Sequence, residues 1–189
     1  MKAYQDASLA PARRAKALLE EMTLAEKIGQ LNQRLYGFRI YERKCVNGED
    51  TIELSEEFCQ EVEKYSGLGV LYGLYRADPW ADKNYETGLT GVLSKKAYNQ
   101  VQRYVLEHSR LGIPVMMSSE CPHGHQALDG YLLPVNLLAG ATFDPAMVRA
   151  AYRVSGRQLQ NMGVDFALMS MLDVLRDPRW GRSEECYSE

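Results

Sequence analysis

Two helix-length runs, each closed by a glycine and followed at once by a short apolar stretch, constrain this chain most. The first starts at a Ser94 N-cap and places Ala97, Val101, Tyr104, Val105 and His108 on one face. Gly112 follows as the residue past its end, where positive φ costs glycine little. Ile113-Pro114-Val115-Met116-Met117 then reads as a buried strand. The second helix is capped by Asp144-Pro145, carries Val148, Ala151, Tyr152 and Leu159, and is closed by Gly163. Val164 to Leu168 is the next strand, with Met169 to Leu175 extending it. Gly67 to Leu74 is a strand ahead of both helices, and Leu137 to Phe143 adds a short one between them. Strands alternating with long helices predict a parallel sheet covered by crossover helices. The loops after strands are long and polar, and those after helices are short glycine turns. That asymmetry suits a barrel with its chemistry at one end. A doubly wound open sheet lacks support, because no glycine-rich phosphate loop follows the first strand.

Upstream, Pro11 opens a helix at a position where its missing N–H is no loss. Thr23-Leu24-Ala25-Glu26 reads as a capping box that starts another. From Tyr36 to Ser66 charges dominate. Asn47-Gly48 marks a turn and a short helix is expected near Ser55 to Tyr65. The aromatic residues of this stretch (Tyr36, Phe38, Tyr41, Phe58 and Tyr65) either line a rim or pack locally. Residues 1–66 are thus expected to form a helical and loop segment that leads into the α/β part, residues 67–189.

Composition narrows the function. With 22 basic and 25 acidic residues the net charge is −3. A slightly acidic balance argues against nucleic acid as the partner, since phosphate binding wants a basic face. No stretch approaches the roughly 20 apolar residues of a membrane span. Met1 to Asp6 has no apolar leader, so a cytoplasmic location is expected. The four cysteines, at positions 45, 59, 121 and 186, form no metal-ligand spacing and read as reduced thiols.

Two constellations follow strands. The first is Ser118-Ser119-Glu120-Cys121-Pro122-His123-Gly124-His125. Glu120 suits hydrogen bonding to ligand hydroxyls or acid–base work, against a plain reading as a solvated loop carboxylate. His123 and His125 invite a metal reading, but a catalytic zinc needs about three ligands in fixed geometry and only local ones are visible. The imidazoles are expected to bond the loop backbone instead, and neither metal nor other cofactor is called for. The second is Asp173 to Arg182, then Glu184-Glu185. Three arginines and several carboxylates so close together are expected to pair and brace the loop. One arginine reaching a ligand with its planar fork is the sharper alternative. Trp180 offers a face for stacking or fills a core.

Together these residues carry a resemblance. Ile113-Pro114-Val115 with Glu120-x-x-His123-Gly124, Ala141-Thr142-Phe143-Asp144-Pro145, and Leu172-Asp173-Val174 through Asp177-Pro178-Arg179-Trp180-Gly181-Arg182 to Glu185-x-Tyr187 resemble the N-terminal domain of family 3 glycoside hydrolases. Met22 to Leu31 resembles the family's opening helix. The resemblance implies a (β/α)8 TIM-type barrel, of which this chain holds only the N-terminal portion. It implies retaining hydrolysis of β-linked glucosides or xylosides. It implies that Glu120, often Asp in such proteins, and Arg182 bind the sugar in the −1 subsite. His123 occupies a motif position and joins them as a substrate-binding candidate, while Asp177 and Arg179 belong to a supporting ion-pair network. The nucleophilic Asp and the acid/base Glu are expected after Glu189. On that expectation the 189-residue chain alone is catalytically silent and the remainder of the enzyme, or a second domain, completes the site. Two other classes stay open: a non-catalytic carbohydrate-binding chain, and a metal-dependent barrel hydrolase using His123 and His125.

Overall fold

A computed structural model describes residues 2–169 and 171–188. Two helices, α1 (Pro11–Glu21) and α2 (Leu24–Leu31), lead the chain in. Pro11 is the first residue of α1, and Thr23 caps α2 through its hydroxyl while Glu26 reaches back to the Thr23 amide. Both starts follow from local signals alone. The charged stretch that follows holds an antiparallel hairpin that the sequence pattern did not predict, β1 (Tyr41–Val46) and β2 (Glu49–Leu54). Asn47 and Gly48 both have positive φ (53° and 81°), the two-residue hairpin turn that matches strand twist. The hairpin hides because only Tyr41 and Ile52 of its twelve strand residues are buried. Helix α3 (Glu56–Tyr65) follows, capped by Ser55.

The α/β part is a three-stranded parallel sheet in the order β3 (Val70–Tyr72), β4 (Met116–Glu120), β5 (Phe166–Leu168). Helix α4 (Gly91–Glu107) joins β3 to β4, and α6 (Pro145–Asn161) precedes β5. Tyr36 bridges Tyr72 in parallel register on the far side of β3. The register pairs Tyr72 with Ser118 and Ser118 with Phe166, and Glu120 with Leu168. Strand alternation puts Leu71, Met117 and Ser119 on the helix-covered face, where each is at most 1% exposed. Met116 and Phe166 lie on the other face, about half exposed. One core spans both sides of residue 66: Phe58 and Val62 of α3 meet Leu68, Leu71, Ala97, Val101, Val105 and Met117.

Several boundaries differ from the sequence reading. Leu137 to Phe143 is no strand. Its first four residues belong to α5 (Asn136–Gly140), whose Leu-Leu-Ala core favours a helix where β-branched residues are missing. β4 begins at Met116 rather than Ile113. Pro114 has no N–H to give, and both backbone groups of Val115 are taken by the Gln102 side chain. β5 ends at Leu168. Ser170 lies outside the described residues, and the chain beyond it turns to pair Asp173 and Leu175 with Tyr187 and Ser188. Helix α4 starts at Gly91, not after Ser94, because the Asp129 carboxylate accepts from the Gly91 amide at 2.5 Å. Ser94 is buried inside the first turn. Helix α4 also stops at Glu107. His108, expected on the buried face, is exposed with its ring stacked on Tyr104, and Gly112 lies further along at φ 62°. Gly163, φ 72°, does follow the end of α6 as expected.

Candidate functional site

Glu120 is the last residue of β4, at the carboxyl end of the parallel sheet, where loops gather functional groups in such folds. Its Oε1 accepts from the Tyr72 hydroxyl at 2.5 Å and lies 3.4 Å from Nη1 of Arg76. Arg76 also donates to the Tyr72 oxygen. Nε and Nη2 of Arg76 reach Oδ2 of Asp78 at 2.7 and 2.5 Å, and the guanidinium lies over the Trp80 ring at 4.4 Å. Burial works against the charge of Arg76, but Asp78, Tyr72 and Glu120 outweigh it and the pKa rises. Asp78 moves down, because Arg76 and two backbone amides outweigh its own burial. Burial and then Glu120 push the Tyr72 phenol up, so it stays protonated and donates.

Tyr72, Arg76 and Asp78 were missed in the sequence. The signal was present: they end and follow β3 just as Glu120 ends β4. Trp80 is half exposed and packs edge-on against Tyr36 and Phe38. Of the aromatic residues left open between Tyr36 and Ser66, Phe38, Tyr41 and Phe58 are buried, with Phe38 beneath Trp80, whereas Tyr36, 40% exposed, meets Trp80 near the rim.

Arg182 and Glu185 form a two-pronged pair at 2.7 and 2.6 Å, which raises the Arg182 pKa. The Glu120 charge also acts on Arg182 from a distance, without a contact. Asp177 and Arg179 pair with each other at 2.5 to 3.1 Å on an exposed turn, and Arg179 lowers the Asp177 carboxyl. Trp180 is 52% exposed, so it fills no core.

The imidazoles do not bond the loop backbone as expected. His125 is fully buried, and its Nε2 meets the Ser119 hydroxyl at 2.9 Å beneath the sheet. Burial pushes it down to about 4, so it is neutral near pH 7. His123 contributes its carbonyl to the Leu133 amide, and its Nδ1 is buried without a partner. Burial raises the Cys121 thiol. Among the described residues no three His, Cys, Asp or Glu side chains converge as a metal would require.

The model of the glycosyl hydrolase family 3 N-terminal domain matches residues 23–189. A Formosa agariphila protein described as a β-xylosidase is 30% identical over 188 residues, all of this chain and 23% of that protein. A periplasmic β-glucosidase of Salmonella typhimurium is 28% identical, over 91% of this chain and 18% of its own length. The solved structure of a β-glucosidase from Erythrobacter marinus superposes with a TM-score of 0.72 at 29% identity, over 100% of this chain and 22% of that one. The chain therefore spans less than a quarter of the length of these relatives.

Proposed function

This chain belongs to glycosyl hydrolase family 3, and we propose that it supplies part of the −1 sugar subsite of a retaining β-glycosidase acting on β-linked glucosides or xylosides. Its parallel sheet and crossover helices are the N-terminal part of the (β/α)8 barrel. The observation that carries the proposal is the Glu120 carboxylate, fixed at the mouth of that sheet by Tyr72 and Arg76. Arg182, whose charge interacts with Glu120, is the second sugar ligand, and His123 shapes the loop beside them.

The chemical step is assigned to groups outside these residues. Retaining hydrolysis uses two carboxyls about 5–5.5 Å apart, one nucleophilic and one able to give and take a proton. The carboxylates at this mouth are committed: Glu120 and Asp78 to Arg76, Glu185 to Arg182. Asp78 is moreover held below the usual carboxylate range by Arg76 and two backbone amides, so it is a poor proton donor. The same pairing favours a second reading, a chain that holds a sugar without cleaving it. Four free thiols suit the cytoplasmic location read from the sequence, although one named relative is periplasmic.

The test is turnover of 4-nitrophenyl β-D-glucopyranoside and β-D-xylopyranoside by the full-length gene product and by the 189-residue chain. Turnover by the former, loss in Glu120→Gln and silence of the latter are expected. Absence of turnover by the full-length product on either substrate, with sugar binding retained, selects the second reading.

A further inference from the structure

Glu120 sits on a flexible arm, and a carboxylate that must meet particular hydroxyls gains from being held before the ligand arrives. Four groups are arranged to do this. Tyr72 lies on the neighbouring strand, in register with Ser118, so Glu120 is its diagonal neighbour on the same face. Diagonal pairs are about 7–8 Å apart along the backbone and meet only through long side chains. The tyrosine ring and the glutamate arm together close that span, ending in a 2.5 Å hydrogen bond. Arg76 gives to the Tyr72 oxygen and approaches the same Oε1 of Glu120. Arg76 is itself fixed by two contacts to Asp78 and by the Trp80 ring, and its side chain is 15% exposed. The bonds run in one direction, from Arg76 to Tyr72 to Glu120, which lets each polarise the next. Every contact falls on Oε1; among the described residues Oε2 takes no hydrogen bond.

We infer that Tyr72 and Arg76 are positioning residues that hold one oxygen of Glu120 so that the other is presented to the sugar. This rests on the reading of Glu120 as a sugar ligand and deepens it. Arg76 is shared between two carboxylates and acts through Tyr72 and Glu120, without touching substrate. The arrangement also fits the glutamate at this position. An aspartate would carry its carboxylate one methylene further from the Tyr72 hydroxyl, which the glutamate arm meets at 2.5 Å.

The test is a double-mutant cycle in the full-length gene product. Tyr72→Phe removes the hydroxyl and keeps the ring, so packing is preserved. In the Glu120 background it is expected to lower kcat/KM for 4-nitrophenyl β-D-glucopyranoside about tenfold, the usual weight of a hydrogen bond to a charged group. In a Glu120→Ala background the same change is expected to have less than about a twofold effect, because a group acting through another loses its role once that other is gone. Arg76→Lys, which keeps the charge but not the fork, is expected to follow the same pattern. Equal losses in both backgrounds, or no loss in either, overturn the inference while leaving the sugar-site reading intact. If Glu120→Ala itself changes neither kcat/KM nor glucose binding, the sugar-site reading falls and this inference with it.

Discussion

Glu26 and Arg110, separated by 84 residues in sequence, meet as a two-pronged ion pair with distances of 2.9 and 2.7 Å. The carboxylate is buried, whereas the guanidinium is half exposed. Arg110 also binds the carbonyl of Glu21, so it ties the end of α1 and the first turn of α2 to the turn after α4. The hydrogen bonds from Arg110, with those from Thr23, hold Glu26 down at about 2 despite its burial. A carboxylate with a depressed folded pKa stabilises the fold above its unfolded value, and that contribution is lost as pH falls from about 4.5 toward 2. Urea unfolding of the chain across that range is expected to lose about 2 kcal/mol from this pair, allowing for solvent screening at Arg110. Glu26→Gln is expected to be less stable at pH 7 and to show a flatter acid limb.

His125 titrates over a different window. Its folded value of about 4 lies below the ordinary 6.5 because burial disfavours the imidazolium. The unfolded chain therefore binds the proton first, and stability falls as pH drops from about 6.5 to 4. The expected loss is about 3 kcal/mol across that window. His125→Gln, which keeps a hydrogen-bonding group for Ser119 but cannot titrate there, is expected to remove that slope while leaving the Glu26 limb below it. A slope between pH 6.5 and 4 that survives the substitution assigns it to other groups.

Local signals were legible and tertiary ones were not. Pro11, Thr23 with Glu26, Ser55, and Asp144 with Pro145 each mark a helix start through contacts within three residues. Glu120 was legible because a polar motif directly follows an apolar run. The seven residues from Leu137 to Phe143 misled because so short an apolar run has no readable period. The hairpin misled because its faces are charged and meet solvent. The clamp on Glu120 was out of reach for another reason: Tyr72 and Glu120 are 48 residues apart, and only parallel register brings them together.

Two glycines test packing against conformation. A methyl at Gly69 runs into the backbone of Gln30, which cannot move aside as a side chain can. Gly69 also bridges Gly29 and Met116 through its own N–H and carbonyl, at the entry to β3 and β4. Gly112 has open space around it but φ of 62°. Gly69→Ala is expected to cost about 3 kcal/mol, the upper range for overpacking. Gly112→Ala is expected to cost about 1 kcal/mol, the strain of a left-handed alanine. Chemical denaturation of both variants checks the order, and a smaller loss at Gly69 means that β3 shifts to make room.

Arg182 is held by Glu185 through both of its prongs, yet its side chain is 62% exposed. The arginine end of the pair is exposed while the Glu185 side chain is 15% exposed, so the pair is solvent-screened on one side and its loss is expected to cost about 1 kcal/mol. Its contribution to a sugar ligand is separate, because a guanidinium directed at hydroxyls makes charge-assisted bonds. Arg182→Ala in the full-length gene product is therefore expected to leave the melting temperature nearly unchanged and to lower kcat/KM on 4-nitrophenyl β-D-glucopyranoside by about 100-fold. Glu185→Gln keeps the arginine and loosens its anchor, so a smaller loss is expected, carried mainly by KM. If Arg182→Ala lowers the melting temperature and spares kcat/KM, the residue braces the loop with Glu185 and leaves the sugar to Glu120.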